Sequence, residues 1–89
     1  MKHVLVTTKH RGVFFGGVAA DADLTERTLA LKGARMAIHW GTTKGVAQLA
    51  ETGPTNASKI GAPADIAALH DVTAVWECTK EATDKWLKA

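Results

Sequence analysis

Cysteine occurs once in the 89 residues, as Cys78, tyrosine not at all, and proline twice. A single cysteine excludes an internal disulfide and a cysteine-built metal site. So short a chain without disulfides fits a reducing compartment. No apolar run approaches the roughly 20 residues that cross a bilayer. The amino end reads as a strand, without the apolar core and small-residue cleavage pattern of a secretory signal. A cytoplasmic setting without membrane contact is therefore expected. Charge of one sign is scarce too. Eleven Lys and Arg against nine Asp and Glu leave a formal net charge of +2, too little for the broad basic footprint of a nucleic-acid-binding domain.

Catalytic patterns are also missing. No Ser, Cys or Thr stands with a histidine and an acid at a recognisable nucleophile spacing. His3, His10, His39 and His70 form no helical metal pair. His3 and His10 can approach across a hairpin but lack a third ligand. Asp21, Asp23 and Glu26 lack the frame of a calcium loop, and 21–26 read as a solvated polar connection. The expectation is a protein that is not an enzyme and carries no metal or cofactor.

What is present is ordinary globular material: 46% apolar and 22% charged residues, enough for one domain over 1–89 and no second core. Residues 2–8 alternate as a strand, Lys9 to Gly12 make a turn, and 13–20 continue as a second strand, apolar on both faces and interrupted by Gly16-Gly17. Such a glycine pair marks a bend or a close backbone approach. Residues 27–32 alternate with Leu29 and Leu31 inward. Gly33 then punctuates, and 34–40 alternate with Met36, Ile38 and Trp40 inward. This gives a four-strand meander.

Thr42 or Thr43 can cap a short helix carrying Val46, Leu49 and Ala50, stopped by Gly53-Pro54. Residues 67–78 read as the last strand, with Val72, Ala74, Trp76 and Cys78 on one face and Thr73, Val75 and Glu77 on the other, and Thr79 caps a terminal helix with Ala82 and Trp86 on one stripe. The fold class is mainly β (α+β): a small curled antiparallel sheet or half-barrel of about five strands with two short helices. The apolar second strand and three tryptophans in so few residues point to a homo-oligomer, with a self-contained monomeric core as the rival.

Two loops offer chemistry. Gly41-Thr42-Thr43-Lys44-Gly45 lacks the GxxxxGK[ST] frame of a phosphate loop. It still places N–H groups, hydroxyls and an ammonium at a helix start, a combination that holds anions. The loop from Gly53 to Gly61 adds Thr55, Ser58 and Lys59. Arg35 and His39 share a strand face just before the helix, and Arg11 on the first hairpin can join a bidentate phosphate clamp. Phe14 and Trp40 can wall a base. The ligand-binding set is thus Arg11, Phe14, Arg35, Trp40, Thr43, Thr55, Ser58 and Lys59.

The segments Arg11-Gly12-Val13-Phe14-Phe15-Gly16, Ala34-Arg35-Met36-Ala37-Ile38-His39-Trp40, Thr52-Gly53-Pro54-Thr55 and Ser58-Lys59-Ile60-Gly61 resemble a family of short, functionally uncharacterised proteins of tailed phages and prophages. The resemblance spans nearly the whole chain and carries no established activity. His39 stands where that family is expected to hold an aromatic residue. A phage setting implies action in the cytoplasm of a bacterial host. Small phage proteins there include oligomers that sequester cyclic or ADP-ribose-derived nucleotide signals without cleaving them, and others that block a host protein. The leading expectation is a non-enzymatic, homo-oligomeric counter-defence factor that binds a phosphate-bearing nucleotide. The alternative is a protein-interaction module that inhibits a host protein through strand 13–18 or the helix with Trp86. Weak nucleic-acid binding through the basic first hairpin is a third reading.

Overall fold

The alternating apolar residues of the first hairpin pair as their pattern requires. β1 (Lys2–Thr8) and β2 (Val13–Val18) run antiparallel in the register Val4↔Gly16 and Val6↔Phe14. The computed structural model describes residues 1–9, 12–39, 47–55 and 58–88. The remaining elements are β3 (Leu29–His39), α1 (Gln48–Glu51), β4 (Lys59–Ile60), β5 (Ala64–Leu69), β6 (Val72–Glu77) and α2 (Lys80–Lys88). Strand order is β4-β3-β2-β1-β6, with β5 paired to the other stretch of the outer edge of β3. Every pairing is antiparallel. β5 and β6 lie at opposite ends of the strand path without pairing, so the curled sheet expected from the sequence forms and stays open.

Both faces of the sheet carry a core. One holds Val4, Val6, Val18, Leu29, Leu31 and Ala34, with Ile66, Leu69, Val72 and Val75 packed against it. The other holds Leu5, Val13, Phe15 and Ala37 beneath Leu49, Ala50, Ala82 and Trp86 of the two helices. Burying each large apolar side chain stabilises the fold by roughly 1.5–3 kcal/mol, so most cohesion comes from these two layers. At the centre of the second layer, His3 stacks on Phe15 at 5.2 Å and Phe15 on Trp86 at 4.9 Å. The Trp86 indole N–H donates to the Leu49 carbonyl at 2.9 Å, tying α2 to α1. The apolar β2 is thereby covered on both faces within one chain, and Trp86 of the terminal helix is fully buried.

Four sequence expectations need correction. Residues 27–32 and 34–40 are not two strands: Leu29–His39 is continuous, with Gly33 at φ +58 inside it and register shifts along its pairing with β5. A left-handed residue at a shift bends a strand without ending it. Met36 and Ile38 are exposed at 44% and 55% rather than inward. The cover supplied by β5 ends at the pair Ala34↔Ala64, whereas Ala37 lies beneath the helices. The span 67–78 is likewise two strands, divided at His70-Asp71, where Asp71 sits at φ +58. Aspartate tolerates that conformation better than most side chains. Finally, Val72 and Trp76 do not share a face. A bulge opposite Thr7-Thr8 puts Val72 in the first core and Trp76 in the second.

The described part of each helix keeps its expected stripe. Leu49 and Ala50 of α1 are buried, and its N-cap is Ala47, with no side-chain cap bond. Thr42, Thr43 and Val46 lie outside the described residues. Gly53 ends α1, its N–H reaching back to the Gln48 carbonyl. Thr79 caps α2 by accepting the Ala82 N–H at 3.1 Å. Among the described residues no helix is long and apolar enough to cross a membrane.

Candidate functional site

Three of the eight expected ligand residues, Arg11, Trp40 and Thr43, lie outside the described residues. Of the other five, Phe14 and Arg35 leave the sheet by opposite faces. Thr55 and Ser58 form a small turn, with Ser58 N–H donating to the Thr55 carbonyl and Thr55 N–H donating to the Ser58 hydroxyl, both at 3.0 Å. Lys59 follows, exposed, at the start of β4 opposite His39. Phe14 is half-buried and packs toward the core of Val4 and Val6.

Arg35 pairs across the strands with Phe15, whose ring belongs to the core under the helices. Directly opposed residues share a face, so Arg35 and Phe14 project from opposite sides of the sheet. The guanidinium of Arg35 is already engaged: Nε donates to the Gly61 carbonyl and Nη1 to the Trp86 carbonyl, each at 3.0 Å. Trp86 is in the last turn of α2, where a cation also meets the negative end of the helix dipole. Arg35 thus ties β3, the chain after β4 and the end of α2 together.

The concave site lies elsewhere. A cleft of about 670 Å³ opens between two runs of four consecutive residues, 24–27 and 72–75, with Lys9 and Asp71 at their junction. Two main-chain hydrogen bonds close that end: Val72 N–H to the Arg27 carbonyl at 3.0 Å and Lys9 N–H to the Asp71 carbonyl at 2.9 Å. The wall 24–27 is shaped locally. Asp23 accepts from the Thr25 N–H at 2.9 Å and from its hydroxyl at 2.6 Å. These bonds hold the Asp23 carboxyl below its usual range. Beside this turn, Leu24 packs down onto the core. The facing wall is β6, which among the described residues pairs only with β1.

The cleft therefore offers two cations (Lys9 and Arg27), two carboxylates (Glu26 and Asp71), the hydroxyls of Thr25 and Thr73, and an apolar floor of Leu24, Val72 and Val75. Among the described residues its lining contains no histidine or cysteine. Cys78 is half-buried, and desolvation pushes its thiol up to about 12, away from nucleophilic use. Among the described residues no three His, Cys, Asp or Glu side chains group closely enough to hold a metal ion.

The sequence reading took 21–26 for a solvated loop and missed this site. The signals present were an apolar Leu24 inside an acidic segment, which docks the loop, and His70-Asp71, which breaks the strand to form the junction. No curated protein and no solved structure matches the chain. A family model described as "Domain of unknown function (DUF6948)" matches residues 1–86, and the chain therefore belongs to that family.

Proposed function

We propose that this chain is a non-catalytic binding module whose ligand lies in the cleft between residues 24–27 and β6. The observation that carries this reading is the cleft itself. It has the size of a ligand site and an apolar floor with convergent polar groups. The described lining, of lysine, arginine, carboxylates and threonine hydroxyls, makes a recognition surface rather than a nucleophile-and-base pair.

The nucleotide reading is retained as a second one because Lys9 and Arg27 share this lining with two threonine hydroxyls, a set that can meet phosphate and ribose. Sequestration of a nucleotide signal during phage infection is the role that reading gives the protein. Binding of a host protein is the role the interaction reading gives it. Amide chemical-shift mapping tests the site. The labelled protein is titrated separately with cyclic dinucleotides, with ADP-ribose derivatives and with arrayed short peptides. A ligand whose shifts centre on 24–27 and 72–75, weakened by Arg27→Ala, supports the proposal. Binding centred on Thr55, Ser58 and Lys59, or none across the panel, refutes it.

A further inference from the structure

We propose that the occupant of this cleft is an extended peptide segment of a partner protein, which joins the sheet as an added strand along the outer edge of β6. The inference rests on the cleft being the binding site and names what fills it.

Strand direction carries the argument. Cys78 N–H donates to the His3 carbonyl at 3.0 Å, and the same register pairs Trp76 with Leu5 and Ala74 with Thr7. In an antiparallel ladder the main-chain groups alternate between the two edges. Cys78, Trp76 and Ala74 therefore bond to β1, and Val75 and Glu77 turn their N–H and C=O outward. Val75 lines the cleft and packs against the core that also receives Leu24. An incoming strand thus finds a main-chain donor and acceptor at Val75. Its residue opposite Val75 lies over the apolar floor, and its neighbours point to solvent.

The second wall decides the kind of occupant. Residues 24–27 run along the cleft and are fastened to Val72 at its closed end. One strand can enter between the walls. The edge of a second copy would bring its own residues 24–27 against the same space, so self-pairing through β6 is disfavoured. Charge points the same way. Among the described residues two cations and two carboxylates line the cleft, so a polyanion meets repulsion with its attraction, whereas a neutral main chain meets none. The recognised segment is extended, apolar at the residue facing Val75, and not strongly charged of either sign.

The test uses the intact chain and an array of capped peptides of about ten residues, the upper length of a common strand. In complex with the best binder, exchange of the Val75 and Glu77 amide protons should slow at least about ten-fold. Val75→Pro removes the outward N–H and leaves the bonds to β1, because proline is tolerated on an outer edge. It should weaken binding roughly ten-fold, the worth of one such bond with its displaced geometry. Unchanged exchange at these amides in the wild-type complex overturns strand addition, whether or not the proline variant folds. So does affinity within about two-fold of wild type in a folded Val75→Pro. A nucleotide that occupies the cleft while no peptide does overturns this inference and leaves the cleft as the site. Silence at 24–27 and 72–75 for every probe overturns both.

Discussion

Replacing Arg35 with alanine separates a structural role from a ligand role. Among the described residues the side chain makes two charge-assisted bonds, to the Gly61 and Trp86 carbonyls, at 3.0 Å each. Bonds to charged groups contribute about 1.5–3 kcal/mol apiece when water is excluded. Arg35 is only half-buried, and both carbonyls can be rehydrated once it is gone, so solvent screening lowers each bond to about 1 kcal/mol and the expected loss is about 2 kcal/mol. A domain of this length holds roughly 4–13 kcal/mol in total, which makes the loss large. It corresponds to a fall in melting temperature of roughly 8–16 °C and in urea midpoint of about 1 M. Arg35→Lys keeps a charge but not the fork, and should recover about half. Equilibrium urea unfolding with tryptophan fluorescence reads the effect directly, because Trp86 is one of the tied groups. An Arg35→Ala protein that unfolds within about 0.5 kcal/mol of wild type, yet loses affinity for a phosphate-bearing ligand, would refute the structural account and restore the clamp read from the sequence.

Three further outcomes follow from the same geometry. The pKa of His3 is lowered from 6.5, first by burial and then by the amino-terminal ammonium. The unfolded chain therefore takes up the proton first, stability falls as pH drops through 6.5 toward the folded value, and His3→Gln should flatten thermal melts between pH 7.5 and 5.5; an unaltered slope contradicts this. Cys78, with its thiol near 12, should react with a disulfide reagent at pH 8 at least about ten-fold more slowly in the native protein than in urea, and equal rates would show the thiol to be accessible. A Cβ on Gly16 would stand 2.8 Å from the Leu31 Cβ, so Gly16→Ala should cost about 1–3 kcal/mol by overpacking, and a neutral substitution by urea melt would show the two strands able to part.

The alternating segments made the first hairpin, the short helix and the terminal helix readable, because each pattern met a partner of the same period. Leu49 with Ala50, and Ala82 with Trp86, sit in the core as their spacing demands. The errors gather where parity breaks. Gly33 and the shifts beside it let one strand pass from one core to the other, so Met36 and Ile38 project past the cover of β5. The bulge at Val72 to Ala74 reverses which residues face inward. A one-residue slip exchanges every side chain between faces, and composition alone does not locate the slip. His70-Asp71 was legible only as two polar residues inside an apolar span. That they turn the chain depends on Asp71 adopting φ +58.

The same parity explains why Phe14 and Arg35 of the expected ligand set part while a cleft forms elsewhere. Arg35 and Phe14 are close in the pairing of β2 with β3, but they occupy non-opposed positions and so leave the sheet in opposite directions. Sequence proximity of cations, hydroxyls and aromatics says which groups are available, and only register says which of them meet. Arg35, besides, answers a need that no loop motif announces: the last turn of α2 presents carbonyls with no helical partner, and a guanidinium on the adjacent strand satisfies one of them. The cleft at 24–27 and 72–75 has the converse property. Much of what it offers is main chain along β6, and a main-chain edge has no residue signature. Its side chains are scattered over Lys9, Arg27 and Asp71, each unremarkable alone, and they are gathered by two backbone hydrogen bonds. If strand addition is what the cleft does, substitutions that keep β6 extended and Leu24 apolar will preserve binding across widely different lining residues, whereas one proline at Val75 will not.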